Sequence, residues 1–68
     1  MKYEIVIGWS DDDELFIATV PDLPGCMSHG TTYESALANI QEAVALWLEV
    51  SEEFGDPIPP PRQRALSA

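Results

Sequence analysis

Leu15-Phe16-Ile17-Ala18-Thr19-Val20-Pro21-Asp22-Leu23-Pro24-Gly25-Cys26-Met27-Ser28-His29-Gly30-Thr31-Thr32-Tyr33-Glu34-Ser35-Ala36-Leu37 decides the fold, because the hydrophobic period changes within it. Leu15 to Val20 is rich in β-branched and aromatic residues and reads as a strand. Pro21 to Cys26 brings two prolines and a glycine into five residues, which fixes the backbone and removes two amide donors, so it reads as a shaped loop. Met27 to Gly30 reads as a short strand returning beside the first. From residue 31 the period is helical. Thr31 with Glu34, or Thr32 with Ser35, supplies the N-cap, and the first pair fits a capping box better.

Upstream, Tyr3, Ile5, Ile7 and Trp9 alternate with polar or small residues, the period of a strand with one buried face. Ser10-Asp11-Asp12-Asp13 is turn chemistry, so this strand and Leu15–Val20 form an antiparallel hairpin. Downstream, Tyr33, Leu37, Ile40, Val44 and Trp47 recur at steps of four and three, flanked by Ala36, Ala43 and Leu48, a broad stripe facing a sheet. Phe54-Gly55 with Pro57 beyond stops the helix. Asp56 to Pro61 holds four prolines around Ile58 and suits a short edge strand or an extended arm. The expected domain is residues 1–60, with 61–68 a flexible C-terminal tail.

A chain of 68 residues is one domain and buries only about 60 % of the surface its unfolded form exposes. One Cys excludes an internal disulfide, so self-association as a dimer or tetramer is expected. The middle strand is apolar on both sides, Leu15 and Ile17 one way and Phe16, Ala18 and Val20 the other. One helix covers one face. Phe16, Ala18 and Val20 are the expected oligomer interface, although either parity fits the helix.

Residues 1–56 hold all 12 carboxylates and one cation, Lys2, a charge of −11, while residues 57–68 hold Arg62 and Arg64 at +2. Nucleic-acid binders need a basic footprint to neutralise phosphate, so this body is not expected to bind DNA or RNA directly; a basic partner suits it. No leader is visible, and the longest apolar run, Ala43 to Leu48, is far short of the roughly 20 residues of a membrane span. A cytoplasmic protein with no membrane contact is expected.

Cys26 and His29 stand three apart, on opposite faces of a strand, and two ligands do not close a structural zinc site; no metal or cofactor is expected. The same parity opposes a Cys nucleophile with a His base, and no phosphate loop, dinucleotide fingerprint or nucleophile elbow is present, so no enzyme is expected. The triple aspartate lacks the alternating oxygen ligands of a calcium loop. On the helix exterior, Glu42, Leu46, Glu49, Glu52 and Glu53 share a face with no Lys at i+4, and three glutamates crowd the last turns, where the macrodipole prefers cations. Such a broken local rule marks an acidic docking strip with Leu46 as its apolar centre.

The Met1-Lys2-Tyr3 opening, the acidic hairpin, Phe16-Ile17-Ala18 leading into Pro21-Asp22-Leu23-Pro24-Gly25-Cys26, then His29-Gly30-Thr31-Thr32 and the Glu34-Ser35-Ala36-Leu37 helix start together resemble the HicB-like antitoxin domain, from residue 1 to about Pro60. The resemblance implies an α+β, partly formed ribonuclease-H-like fold: a three-stranded antiparallel sheet in β-β-β-α-β order, one long helix on one face and a short fourth strand. It implies no catalysis. In that family HicB binds and blocks HicA, a small basic toxin that cleaves messenger RNA, and many members repress their own operon through a C-terminal DNA-binding domain. Seven residues after Pro61 are too few for such a module. The expected role is therefore an antitoxin that covers the RNA-binding face of a HicA-like toxin. Its contacts would come from the loop Pro21, Asp22, Leu23, Pro24, Gly25 and Cys26 and from the acidic surface Asp11, Asp12, Asp13, Glu42, Leu46, Glu49, Glu52 and Glu53. The rival reading is a stand-alone homo-oligomer that binds a small ligand or another protein.

Overall fold

A computed structural model describes residues 2–61. Three strands, β1 (Val6–Ser10), β2 (Leu15–Thr19) and β3 (Met27–Gly30), form an antiparallel sheet in the order β1-β2-β3, followed by one helix, α1 (Tyr33–Phe54). The expected sheet and helix are present. Pairing in β1 begins only at Val6, yet Tyr3 and Ile5 still pack on the core with Ile7, as their shared parity requires.

The hairpin closes between Ser10 and Leu15 over a four-residue loop. Asp13 N–H donates to Ser10 Oγ at 3.4 Å, Ser10 Oγ–H donates to Asp13 Oδ2 at 3.2 Å, and Trp9 Nε1 donates to Asp11 Oδ1 at 2.8 Å. Short acidic side chains thus stabilise the turn by bonding locally. Glu14 completes it in the left-handed region at φ 54°.

Two stacked turns join β2 to β3. Leu23 N–H donates to Val20 O at 3.0 Å and Cys26 N–H to Leu23 O at 3.0 Å, while Val20 N–H reaches Cys26 O at 3.1 Å and continues the ladder. In the second turn Pro24 occupies position i+1 and Gly25, at φ 78°, position i+2, the requirements of a type II turn. Each proline stands where no amide donor is needed.

The cap of α1 corrects the expectation. Thr32 and Ser35 form the capping box, with Ser35 N–H on Thr32 Oγ1 and Thr32 N–H on Ser35 Oγ, both at 3.0 Å. The first helical bond, Ala36 N–H to Thr32 O, fixes Thr32 as the cap and leaves Thr31 outside. At the other end Gly55 (φ 70°) donates to Glu52 O and Asp56 N–H to Ser51 O, a Schellman ending that satisfies two late carbonyls.

The oligomer face is the second correction. Pairing of Ile7 with Ala18, Ala18 with Ser28 and Phe16 with Gly30 puts these residues on one side, and that side meets the helix. Ala18 is 0 % exposed and Val20 buried, together with Ala36, Ile40 and Val44 of α1, with Phe16 packed alongside. Phe16, Ala18 and Val20 are spent inside the chain. The reason is size: β3 presents only Ser28 and Gly30 to the helix, so α1 can descend close to the sheet there. A Cβ on Gly30 would run into Ser35 Oγ and the Ala36 amide nitrogen.

The fourth strand does not form among the described residues. Four of the six residues 56–61 are prolines without N–H, and Asp56 spends its amide on the helix end, leaving only Ile58 to donate. The segment is tied instead by Tyr3 Oη, which donates to Pro59 O at 2.6 Å. The expected flexible tail, from residue 62 on, lies outside the described residues.

Gly30→Ala is expected to cost about 1–3 kcal/mol, because the methyl forces the helix start off the sheet. Urea unfolding followed by circular dichroism checks this; an unchanged midpoint would mean that the close approach is not needed.

Candidate functional site

The double turn between β2 and β3 and the C-terminal half of α1 face one another. Leu23 anchors the loop from below, 1 % exposed. Trp47 anchors it from the helix side, with its indole Nε1–H donating to Pro24 O at 3.0 Å. A carbonyl in a tight turn thereby gains a partner, and the loop is fixed against the helix. Asn39 does the same one end further on, donating from Nδ2 to His29 O at 2.7 Å on the outer strand.

Between loop and helix lies a groove of about 450 Å³, with Gly25, Cys26 and Met27 on one wall and Ala43, Leu46, Trp47 and Val50 on the other, closed at one end by Ser51 and Asp56. Its rim is apolar and uncovered: Met27 and Leu46 are each 60 % exposed and Val50 40 %. Phe54, 73 % exposed, extends the helical ridge Leu46–Val50–Phe54 at steps of four. A contiguous exposed apolar patch rimmed by polar residues marks an interaction surface. Glu42, Glu49 and Glu53 are exposed beside this ridge, one helical step from its members.

The predicted site residues divide. Leu46 lines the groove, whereas Glu42, Glu49, Glu52 and Glu53 are exposed on the helix outside its lining. In the loop, Pro21, Pro24 and Gly25 are exposed, whereas Asp22, Leu23 and Cys26 are buried and shape the loop from within. Asp11, Asp12 and Asp13 lie elsewhere. The aromatic contacts Trp9–Phe16 and Phe16–Tyr33, with centroids 5.0 and 5.9 Å apart, hold the hairpin tip beside the N-terminus of α1. Glu49 stands 16 residues further along that helix, about 24 Å at 1.5 Å per residue. Sequence reasoning missed Met27, Val50 and Phe54 as surface and Trp47 as the anchor of the loop. The spacing of Leu46, Val50 and Phe54, a second apolar ridge beside the core stripe, was the available signal.

Cys26 lies at the foot of the groove, buried, and desolvation by that burial pushes its thiol pKa up. His29 pairs with Ile17 on the opposite side of the sheet, so thiol and imidazole are not assembled as nucleophile and base. Among the described residues no group of three or more metal-ligating side chains gathers, and no helix is long and apolar enough to cross a membrane. The arrangement suits binding: a rigid apolar trough with an acidic flank.

Comparison with known proteins agrees with this architecture. The family model described as HicB-like antitoxin of bacterial toxin-antitoxin system matches residues 3–66. A UPF0150 protein of Thermoplasma acidophilum is 39 % identical over 59 residues, covering 87 % of this chain and 84 % of that protein. A UPF0150 protein of Archaeoglobus fulgidus is 36 % identical over 56 residues, 82 % of this chain and 80 % of its own. The crystal structure of the N-terminal domain of Burkholderia pseudomallei antitoxin HicB aligns with all of this chain and 74 % of its own at a TM-score of 0.73 and 29 % identity.

Because the raised pKa means that the thiolate forms more readily in the unfolded chain, the stability this group contributes is whole below the ordinary thiol range and is lost as pH rises through the folded value. Alkylation of Cys26 at neutral pH is expected to be slow in the folded protein and to accelerate in urea. Equal rates in both conditions would show that the thiol is not protected.

Proposed function

This chain belongs to the HicB-like antitoxin family of bacterial toxin-antitoxin systems, and we propose that it binds and neutralises a small basic HicA-type toxin that cleaves messenger RNA, by covering the toxin's RNA-binding face. One observation carries the proposal: the apolar ridge Leu46–Val50–Phe54 beside the groove is flanked by Glu42, Glu49 and Glu53 on a body whose first 56 residues hold a single Lys or Arg. A surface that grips RNA relies on cations that neutralise phosphate. Carboxylates presented to those cations steer the encounter and compete with the phosphates. The apolar centre then expels water and slows dissociation. The loop Pro21 to Cys26, already fixed by its turns and by Trp47, adds a wall that loses little entropy on binding. In this reading the Asp11–Asp13 tip is outside the footprint.

A groove of about 450 Å³ is also in the size range of small-ligand sites, roughly 300–1,000 Å³. That supports the rival, a stand-alone protein that binds a small ligand and has no toxin partner.

Purification from the native cell separates the two: a small basic protein is expected to travel with this chain. Replacing Glu42, Glu49 and Glu53 together by Lys is expected to weaken that complex about 100-fold and to flatten its salt dependence. Leu46→Ser should weaken it without changing the salt slope, and Asp12→Lys should leave it intact. An unchanged affinity in the triple variant would refute the acidic strip, and a chain that purifies without a basic partner would favour the rival.

A further inference from the structure

We infer that the groove between the double turn and the C-terminal half of α1 binds a small apolar amine, with the ammonium head held by Asp56 and Ser51 and the apolar body lying in the trough. Met27, Leu46, Trp47 and Val50 line the trough, and Ser51 with Asp56 closes one end. Apolar walls with a few convergent polar groups are the composition of small-molecule sites, in which the polar groups set the orientation of the ligand. The two polar residues are neighbours because the helix ends here: Asp56 N–H donates to Ser51 O at 2.9 Å across the turn at Gly55.

The Ser51 hydroxyl points to a ligand. Ser51 is only 7 % exposed, yet among the described residues its hydroxyl has no hydrogen-bond partner. The oxygen is not sealed in the interior either, so its remaining surface opens into the groove that Ser51 lines. A nearly buried hydroxyl without a partner is a cost that packing does not offset, and a ligand that bonds to it removes that cost. The charge of the ligand follows from the same end of the groove. The Asp56 carboxylate forms no ion pair among the described residues. The last turn of α1 holds no basic residue, although the negative end of the helix dipole lies there. With 12 carboxylates against one cation in residues 1–56, a carboxylate or phosphate ligand is repelled from this end and an ammonium is attracted. The three donors of an ammonium can serve the carboxylate and the hydroxyl oxygen together. Because the groove is closed at that end, the charged group has to terminate the ligand, as it does in a primary amine. The site lies in the trough and not on the outer ridge, so it does not depend on a toxin.

The test is titration of the full chain with phenethylamine, an aromatic ring on a short stem that ends in an ammonium, followed by the amide chemical shifts of the isotope-labelled protein. For so small a probe a Kd of about 1 mM is expected, with the shifts confined to residues 25–27 and 46–56. Phenylacetate, with the same ring and the opposite charge, should not bind. Asp56→Asn keeps the backbone amide that closes the helix and removes only the charge, and it should weaken phenethylamine about 10-fold. Ser51→Ala should weaken it about 3-fold and leave the unfolding midpoint no lower, since the hydroxyl has no partner to lose. Undiminished affinity in Asp56→Asn, equal binding of phenylacetate, or shifts centred on the hairpin tip would overturn the inference. So would an amine that binds only after Arg62→Ala and Arg64→Ala are introduced together, because the groove would then belong to the chain's own C-terminal residues. The titration holds only this chain and the amine, so its failure and the failure of the toxin-binding proposal are read separately.

Discussion

The close approach of α1 to β3 governs the rest of the structure. Gly30 lies against the Ser35–Ala36 peptide, and Ala18 and Ala36, both completely buried, leave little side chain between helix and sheet. A small domain has few large residues with which to fill a wide gap, so it gains most by narrowing the gap. The helix comes down where the side chains are smallest. Ile40, Val44 and Leu23 then fill what space remains, and the larger Phe16, Trp9 and Tyr33 stack edge to face at the rim of the contact.

That placement decides where function can reside. Once the helix covers Phe16, Ala18 and Val20, the opposite face of the sheet is left open. Its C-terminal turns also run past the end of β3 and stand opposite the double turn, creating the groove. Trp47 is the hinge between the two roles. Its ring packs on the core while its indole N–H holds Pro24 O, so core packing and loop position are set by one side chain.

Charge is unevenly placed on this molecule. Carboxylates occupy the hairpin tip and the helix exterior, whereas the sheet's open face has none at its strand positions. Within the acidic region the two clusters differ. Asp11 and Asp13 are engaged in local hydrogen bonds that build a turn, while Glu49 and Glu53, a like-charged pair at i,i+4 near a helix C-terminus, oppose both their neighbours and the dipole. Local structure explains the first cluster and not the second.

Much of this was legible in the residues. Periods of two and then 3.6, the Pro-Gly turns and the Gly55 stop determine three strands, a double-turn loop and one helix, because each is a local preference of a few neighbouring residues. The exposure of Leu46 and of the helix glutamates was readable for the same reason. What the sequence left open was long-range. Thr31 and Thr32 are equivalent as caps until the first helical hydrogen bond chooses one. Residues 56–61 suit an edge strand until each amide donor is traced to its acceptor. Either face of the middle strand is apolar enough for a core, and only the small residues of β3, brought beside Ala18 by pairing, determine which face the helix can approach. That choice is steric and made across chain segments, so the tertiary structure alone decided it, and with it which surfaces remain for partners.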